Sequence, residues 1–290
     1  MRIAVTGGAG FLGQSVVEAG LAAGHDMHVI DRNSTRTGVA ADVSNWDDIA
    51  DALDSIRPEH VIHLAGVLGT SELFDPPAAS RAVQVNVGGA LNVIQWCAEQ
   101  QAGYTTITMP DSGWANVYAA TKGCAVQLAE AYRRHKGLRV SNVCAYNAYG
   151  PAQKHGHGHP QKIIPTFASR AWAGHPIQVW GDGEQTVDLV HADDIARMLI
   201  DATRFGDGET FDAGTGEALT VNQVADFVNE VTGRMDTSSD RCIEYLPMRA
   251  GEDPGTEIVA TGRGWGQLGW HPVMDWSRLR ECIESYRVTE

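Results

Sequence analysis

The chain has 290 residues, enough to bury a full core as one large α/β domain or two closely joined ones. A hydrophobic content of 43% with 20% charged residues fits a soluble globular enzyme and excludes a disordered chain. A formal net charge of -14 excludes a nucleic-acid partner, whose phosphates demand a basic surface, while an anionic small molecule stays open if basic residues are held locally.

Residues 2–6 (Arg-Ile-Ala-Val-Thr) read as a strand, followed by a glycine turn and a helix to about Ala23. His28–Ile30 and Val61–Leu64 read as strands, with a helix over about 46–55 between them. A helix over 86–101, a β-rich run Tyr104–Thr108, a long helix over 115–135 and a strand Arg139–Ala145 follow. Strands alternating with helices imply parallel βαβ units and a doubly wound sheet. After Gly150-Pro151 the pattern loosens into a glycine- and histidine-rich loop over 153–162. A helix from about Pro165 to Ala173, a strand Ile177–Trp180 and a turn at Gly181-Asp182-Gly183 come next. Asp193 or Asp194 is expected to cap a helix reaching about Thr203, and Thr220 one reaching Thr232; a last helix lies near 275–287.

The five cysteines (Cys97, Cys124, Cys144, Cys242, Cys282) are far apart and form no C-x-x-C pair. They predict reduced thiols in a cytoplasmic protein, with neither a disulfide framework nor a metal site. Residues 1–6 lead directly into a buried-type strand, so no signal peptide is expected, and no apolar run is long enough to span a bilayer.

Two features carry chemistry. Gly7, Gly10 and Gly13 stand in G-x-x-G-x-x-G spacing between a strand and a helix, as part of Gly7-Gly8-Ala9-Gly10-Phe11-Leu12-Gly13. Gly7 permits a tight turn, Gly10 lets backbone N–H groups approach a pyrophosphate, and Gly13 lets the helix pack close. Asp31 ends the second strand 24 residues after Gly7, where a carboxylate accepts from adenosine ribose hydroxyls and repels a 2′-phosphate. That favours NAD over NADP, with Arg32 softening the preference, and Asp42-Val43 falls near the adenine unless Asp42 is an N-cap. The second feature is Tyr118-Ala-Ala-Thr-Lys122. Its phenol and ammonium share one helix face, and the ammonium is expected to lower the phenol's pKa toward that of a general base.

With these residues the chain resembles the extended short-chain dehydrogenase/reductase family, in its nucleotide-sugar epimerase/dehydratase branch. The likeness spans nearly the whole chain. It rests also on His63-Leu64-Ala65-Gly66, Asn86-Val87-Gly88-Gly89, Asn147-Ala148-Tyr149-Gly150-Pro151 and Gly181-Asp182-Gly183-Glu184-Gln185-Thr186. Val190-His191-Ala192-Asp193-Asp194, Gly214-Thr215-Gly216 and Leu268-Gly269-Trp270 complete it. The resemblance implies a Rossmann sheet in an NAD-binding domain of residues 1–150, with 186–213 packing back onto it. A smaller, mixed α/β substrate-binding region would cover 151–290. It implies that Phe11, Leu12, Leu64, Ala65, Gly66 and Asn86 join the glycines, Asp31, Arg32, Asp42 and Val43 around NAD. Tyr118 would be the acid/base and Lys122 would hold the nicotinamide ribose. Asn147 would contact the substrate near its phosphates or sugar, Arg249 would neutralise its diphosphate, and Lys162 and Trp180 are further substrate candidates. It implies a homodimer through the helices at 86–101 and 115–135.

Three departures bear on the reaction. Relatives place a Ser or Thr just after the fifth strand and then some twenty residues before the Tyr. Here nine residues separate Thr108 from Tyr118, and Pro110 stands at the hydroxyl's position, leaving Thr108 or Ser112 as substitutes. Relatives carry an Arg on the diphosphate where this chain has Val187. Lys154, Lys162 or the neighbouring histidines would replace it, or the substrate is not a diphosphate sugar. Residues 108–112 hold one Asp and no Glu, which disfavours the dehydration that needs an acidic pair. His155, His157 and His159 read as a mobile, substrate-covering loop rather than a zinc site. The expectation is an NAD-dependent nucleotide-sugar epimerase acting at C4 through a 4-keto intermediate. The alternatives are a sugar dehydrogenase or keto-sugar reductase, and a weakly catalytic NAD-binding protein.

Overall fold

The apolar runs at the start of the chain become the middle of a parallel sheet. The computed structural model describes residues 1–290 apart from 34–37, 70, 112, 114, 152, 156–160, 235–241, 254, 256 and 288–290. The first half runs β1 (Arg2–Thr6), α1 (Phe11–Ala22), β2 (Asp26–Asp31), β3 (Val39–Ala40), α2 (Trp46–Ile56), β4 (His60–His63), α3 (Pro76–Ala82), α4 (Ala90–Gln100), β5 (Gly103–Thr108), α5 (Val117–Lys136), β6 (Val140–Ala145) and β7 (Asn147–Tyr149). Then come α6 (Ile163–Trp172), β8 (Ile177–Trp180), β9 (Thr186–Val187), β10 (Leu189–His191), α7 (Ala192–Ala202), β11 (Asp207–Ala213), β12 (Leu219–Thr220), α8 (Val221–Val231), β13 (Ile243–Leu246), α9 (Trp265–Leu268) and α10 (Trp276–Ser285).

The main sheet has the order β11-β6-β5-β4-β1-β2-β3, with every pairing parallel. The chain winds outward from β1 in one direction through β2 and β3, and from β4 in the other. Its topological switch therefore lies between β1 and β4, where such sheets open a crevice at their carboxyl ends. This is a doubly wound Rossmann sheet.

Alternation along the strands builds its two faces. Ala4, Ile30, Val61, Tyr104 and Val140 pack with Ile49, Leu53, Val93, Ile94, Ala125 and Ala129 of α2, α4 and α5. Ile3, Val5, Ile62, Val143 and Phe211 pack on the other face with Val16, Ile195, Met198 and Leu199 of α1 and α7. Each large side chain so buried stabilises the fold by roughly 1.5–3 kcal/mol. The region after β7 is mixed, with β13 beside β8 in parallel and β12 beside β9 antiparallel. Its own apolar cluster includes Ile164, Phe167, Ile177, Val179, Val224, Val228, Leu279 and Ile283.

Two expectations need correction. The helix expected over 86–101 begins earlier, as a π-helical segment Val83–Gly89 running into α4. The cap of α7 is His191, whose Nδ1 accepts from the Asp193 N–H, and not Asp193 or Asp194. Those two carboxylates sit in the first turn, where the helix dipole favours them, and bind Arg278 of α10. Thr220 caps α8 with a full capping box through Gln223.

Candidate active site

The turn after β1 is a cradle that side chains would fill. Gly7 has φ +72 and donates to Ile30 O, and a Cβ on it would lie 2.7 Å from the Ala65 nitrogen. A Cβ on Gly13 would lie 2.4 Å from Gly7 O, so only glycine lets α1 seat against the turn. Gly10 is the N-cap of α1, with no side chain bonded there and no acidic residue in the first turn. The N–H groups that begin this helix therefore stay available to an anion.

In front of the turn opens a cavity of about 610 Å³, walled by Gly7, Gly10, Phe11, Leu12, Gly13, Asp31, Arg32, Asp42, Val43, Leu64, Ala65, Gly66, Tyr118 and Lys122. Asp31 is held by N–H donors from Ala9 (3.2 Å) and Asn33 (2.9 Å). Asp42 is not a helix cap, since Asn45 caps α2. Burial alone would raise its carboxyl, but bonds from Ser44 and Arg81 prevail and hold it at about 2. Asn86 is absent from the wall among the described residues. Its amide clamps Val67 (Oδ1 accepting at 2.7 Å, Nδ2 donating at 3.0 Å) and donates to Thr121 Oγ1, bracing the loop after β4.

Asn116 caps α5 by accepting from the Ala119 N–H at 2.9 Å, which sets Tyr118 and Lys122 in the first turns of a twenty-residue helix. Lys122 is only 7% exposed. Burial pushes its ammonium down to about 8 and the Tyr118 phenol up to about 12. The expectation that Lys122 lowers the phenol's pKa is not met, since burial is what sets it and shifts it upward. Of the two hydroxyl substitutes, Thr108 lines the cofactor cavity with Met109 and Pro110, whereas Ser112 lies outside the described residues.

A second cavity of about 230 Å³ adjoins the first. Tyr118, Met109, Asn147, Lys162, Ile163 and Ile258 wall both, which puts the phenol at their junction. Asn147, Lys162, Trp180 and Arg249 all line the second cavity, and the Asn147 Oδ1 is buried without a partner among the described residues. Lys162 is the N-cap residue of α6 and contributes no side-chain cap, so the open helix end and the ammonium share one wall. Burial lowers the Lys162 pKa, with Glu72 opposing and Arg249 assisting. Arg249 pairs with Glu252 at 2.6 Å, and its guanidinium lies 5.7 Å from the centre of the Trp180 ring. Val187 lines this cavity, seated beside Asp188, which is held by Thr215, Gly216 and Ala260. Lys154 is exposed and lines neither cavity.

His155 packs edge-on against Tyr286, while His157 and His159 lie outside the described residues. No group of three His, Cys, Asp or Glu able to hold a metal occurs among the described residues. No helix among them is long and apolar enough to cross a membrane. Arg81, Asn116 and Glu252 also shape the site and belong to none of the motifs that carry the resemblance. The Arg249-x-x-Glu252 spacing was a legible signal, whereas Arg81 meets Asp42 only through the fold.

The model of the NAD-dependent epimerase/dehydratase family matches residues 3–214. A UDP-glucose 4-epimerase of Mycolicibacterium smegmatis is 27% identical over 99% of both chains. A dTDP-glucose 4,6-dehydratase of Salmonella typhimurium is 25% identical, over 99% of this chain and 92% of its own. The crystal structure of Thermus thermophilus UDP-glucose 4-epimerase in complex with NAD superposes with a TM-score of 0.81 at 26% identity, over 99% of both chains.

Proposed function

The chain belongs to the NAD-dependent epimerase/dehydratase family, and on that premise we propose that it epimerises a nucleotide-diphosphate sugar at C4. It is an NAD-dependent enzyme of the extended short-chain dehydrogenase/reductase type. The observation that carries the proposal is the position of Tyr118 at the junction of a dinucleotide-sized cavity and a smaller polar one.

The glycine cradle and the open end of α1 would hold the pyrophosphate of NAD, Asp31 its ribose, and Lys122 the ribose next to the nicotinamide. NAD supplies the hydride acceptor, and in reduced form the donor, for a sugar carbon. Tyr118 takes the proton of the C4 hydroxyl as the 4-keto sugar forms and returns it after the sugar has turned over. Ionising a phenol pushed up to about 12 calls for positive charge at the junction. Lys162, which walls both cavities with Tyr118, supplies it, with Lys122 on the wall of the first. Lys162, the end of α6 and Arg249 receive the diphosphate in place of the cation missing at Val187. Asp111, the one carboxylate in the segment after β5, is exposed and lines neither cavity, which favours epimerisation over elimination of water.

We place a homodimer contact on α4 and α5, where Ala120, Gly123, Gln127 and Ala131 form one exposed face. Light scattering tests it, and a monomer mass would remove it. The activity is tested by proton NMR of the protein with NAD and UDP-, dTDP- and GDP-hexoses. The expected result is a C4-inverted sugar without accumulated NADH. Tyr118→Phe should cut turnover by roughly 10²–10⁴-fold while leaving nucleotide affinity in place. NADH appearing in step with an oxidised sugar would replace the epimerase with a dehydrogenase.

A further inference from the structure

Gln153 is a buried amide, 8% exposed, whose side-chain oxygen is left without a partner among the described residues. Buried side-chain polar atoms are as a rule paired, so an orphan on a residue of a cavity wall points to a ligand. The backbone at this position is fixed. The Tyr286 hydroxyl donates to the carbonyls of Gly150 (2.9 Å) and Gln153 (3.4 Å), and Tyr286 is itself buried.

The side chain lines the cofactor cavity and not the substrate cavity. Its neighbours on that wall are Ala145, Tyr146, Asn147 and Ala148, at the carboxyl end of β6 and the start of β7. In the sheet order this wall lies on the far side of the switch point from Asp31 and Asp42. A dinucleotide whose adenosine lies by Asp31 therefore brings its nicotinamide here, and the one N–H donor on that ring is its carboxamide. We propose that Gln153 accepts a hydrogen bond from the carboxamide of NAD and so fixes the rotation of the ring beside Tyr118. Asn147, the other unpartnered amide of the wall, opens onto both cavities and is left to the substrate. The proposal rests on the NAD reading of this cavity.

Calorimetry on protein freed of nucleotide, with three ligands, provides the test. NAD carries the donor, 3-acetylpyridine adenine dinucleotide replaces its NH₂ with methyl, and ADP-ribose lacks the ring. Wild type should prefer NAD over the acetylpyridine analogue by about tenfold. Gln153→Leu should erase that preference, weaken NAD by about tenfold and leave ADP-ribose binding unchanged. Gln153→Glu, which keeps an acceptor of the same shape, should keep the preference. Undiminished NAD binding in Gln153→Leu, or an equal loss for NAD and ADP-ribose, would overturn the proposal. Failure of wild type to bind ADP-ribose at all would remove the cofactor reading beneath it.

Discussion

At the scale of single residues, the substrate cavity is a problem of charge. Two cations face it, Lys162 and Arg249, and Glu252 already neutralises the second at 2.6 Å. A diphosphate needs more positive charge than Arg249 leaves over, so Lys162 should carry a larger share here than in a site with an Arg at the position of Val187. Lys162→Gln is expected to weaken UDP binding by roughly 10- to 100-fold, the worth of one charge-assisted contact of about 1.5–3 kcal/mol. Lys154→Gln, at an exposed position off both cavities, should change nothing. Calorimetric titration with UDP decides it, and equal effects from the two lysines would mean a diffuse field rather than a site. The sequence could name Lys154 and Lys162 but not choose, because the choice depends on how α6 is aimed. Gln153 gave no signal at all, since its meaning lies in an atom left unpaired by burial.

At the scale of elements, α5 and the Arg249 loop are joined through one residue. Asn116 accepts from Ala119 to cap the helix, and its Nδ2 lies 3.4 Å from Gly251 O. Phe74 closes on the same turn, where a Cβ on Gly251 would meet its ring at 3.1 Å. Asn116→Ser keeps an oxygen for the cap but is too short to reach Gly251. It should hold stability while raising KM for the nucleotide sugar several-fold at little cost in kcat. Asn116→Ala should lose about 1 kcal/mol of stability as well. Steady-state kinetics beside urea titrations separate the two, and an unchanged KM in the serine variant would sink the coupling. The helix itself was legible from Tyr118, Lys122 and their periodicity. Several later strands were not: β9 and β10 have two and three residues, too short for a period, and β11 (Asp-Gly-Glu-Thr-Phe-Asp-Ala) is made polar by edge position and by Asp212, whose carboxylate binds Arg263. Their place is set by tertiary pairing, which a local pattern does not contain.

At the scale of the whole molecule, two opposing effects meet on acidification. Lowering the pH relieves a net charge of -14, which favours the compact state. It also draws the equilibrium toward the unfolded chain, where His60 and His63 of β4 are free to take up protons that they refuse while buried in the sheet and bonded to Thr105 and Thr6. Burial holds each at about 3, with Arg139 adding to the effect at His60 and Lys122 at His63. The unfolded chain takes up these protons from about 6.5 downward while the folded one does not until about 3. Stability must therefore fall as pH drops through that window, by up to ~1.4 kcal/mol per pH unit for each histidine. The charge relief is spread over exposed carboxylates and screened within about 8 Å at physiological salt, so the buried pair should dominate. Urea titrations from pH 7 to 4.5 are expected to show a steady loss of stability, close to halved in slope by His63→Asn. Salt discriminates between the two causes, since screening weakens the surface repulsion but barely reaches the sheet. A slope that holds between low and high salt assigns the loss to the histidines, and a flat profile would mean that β4 accommodates their charge.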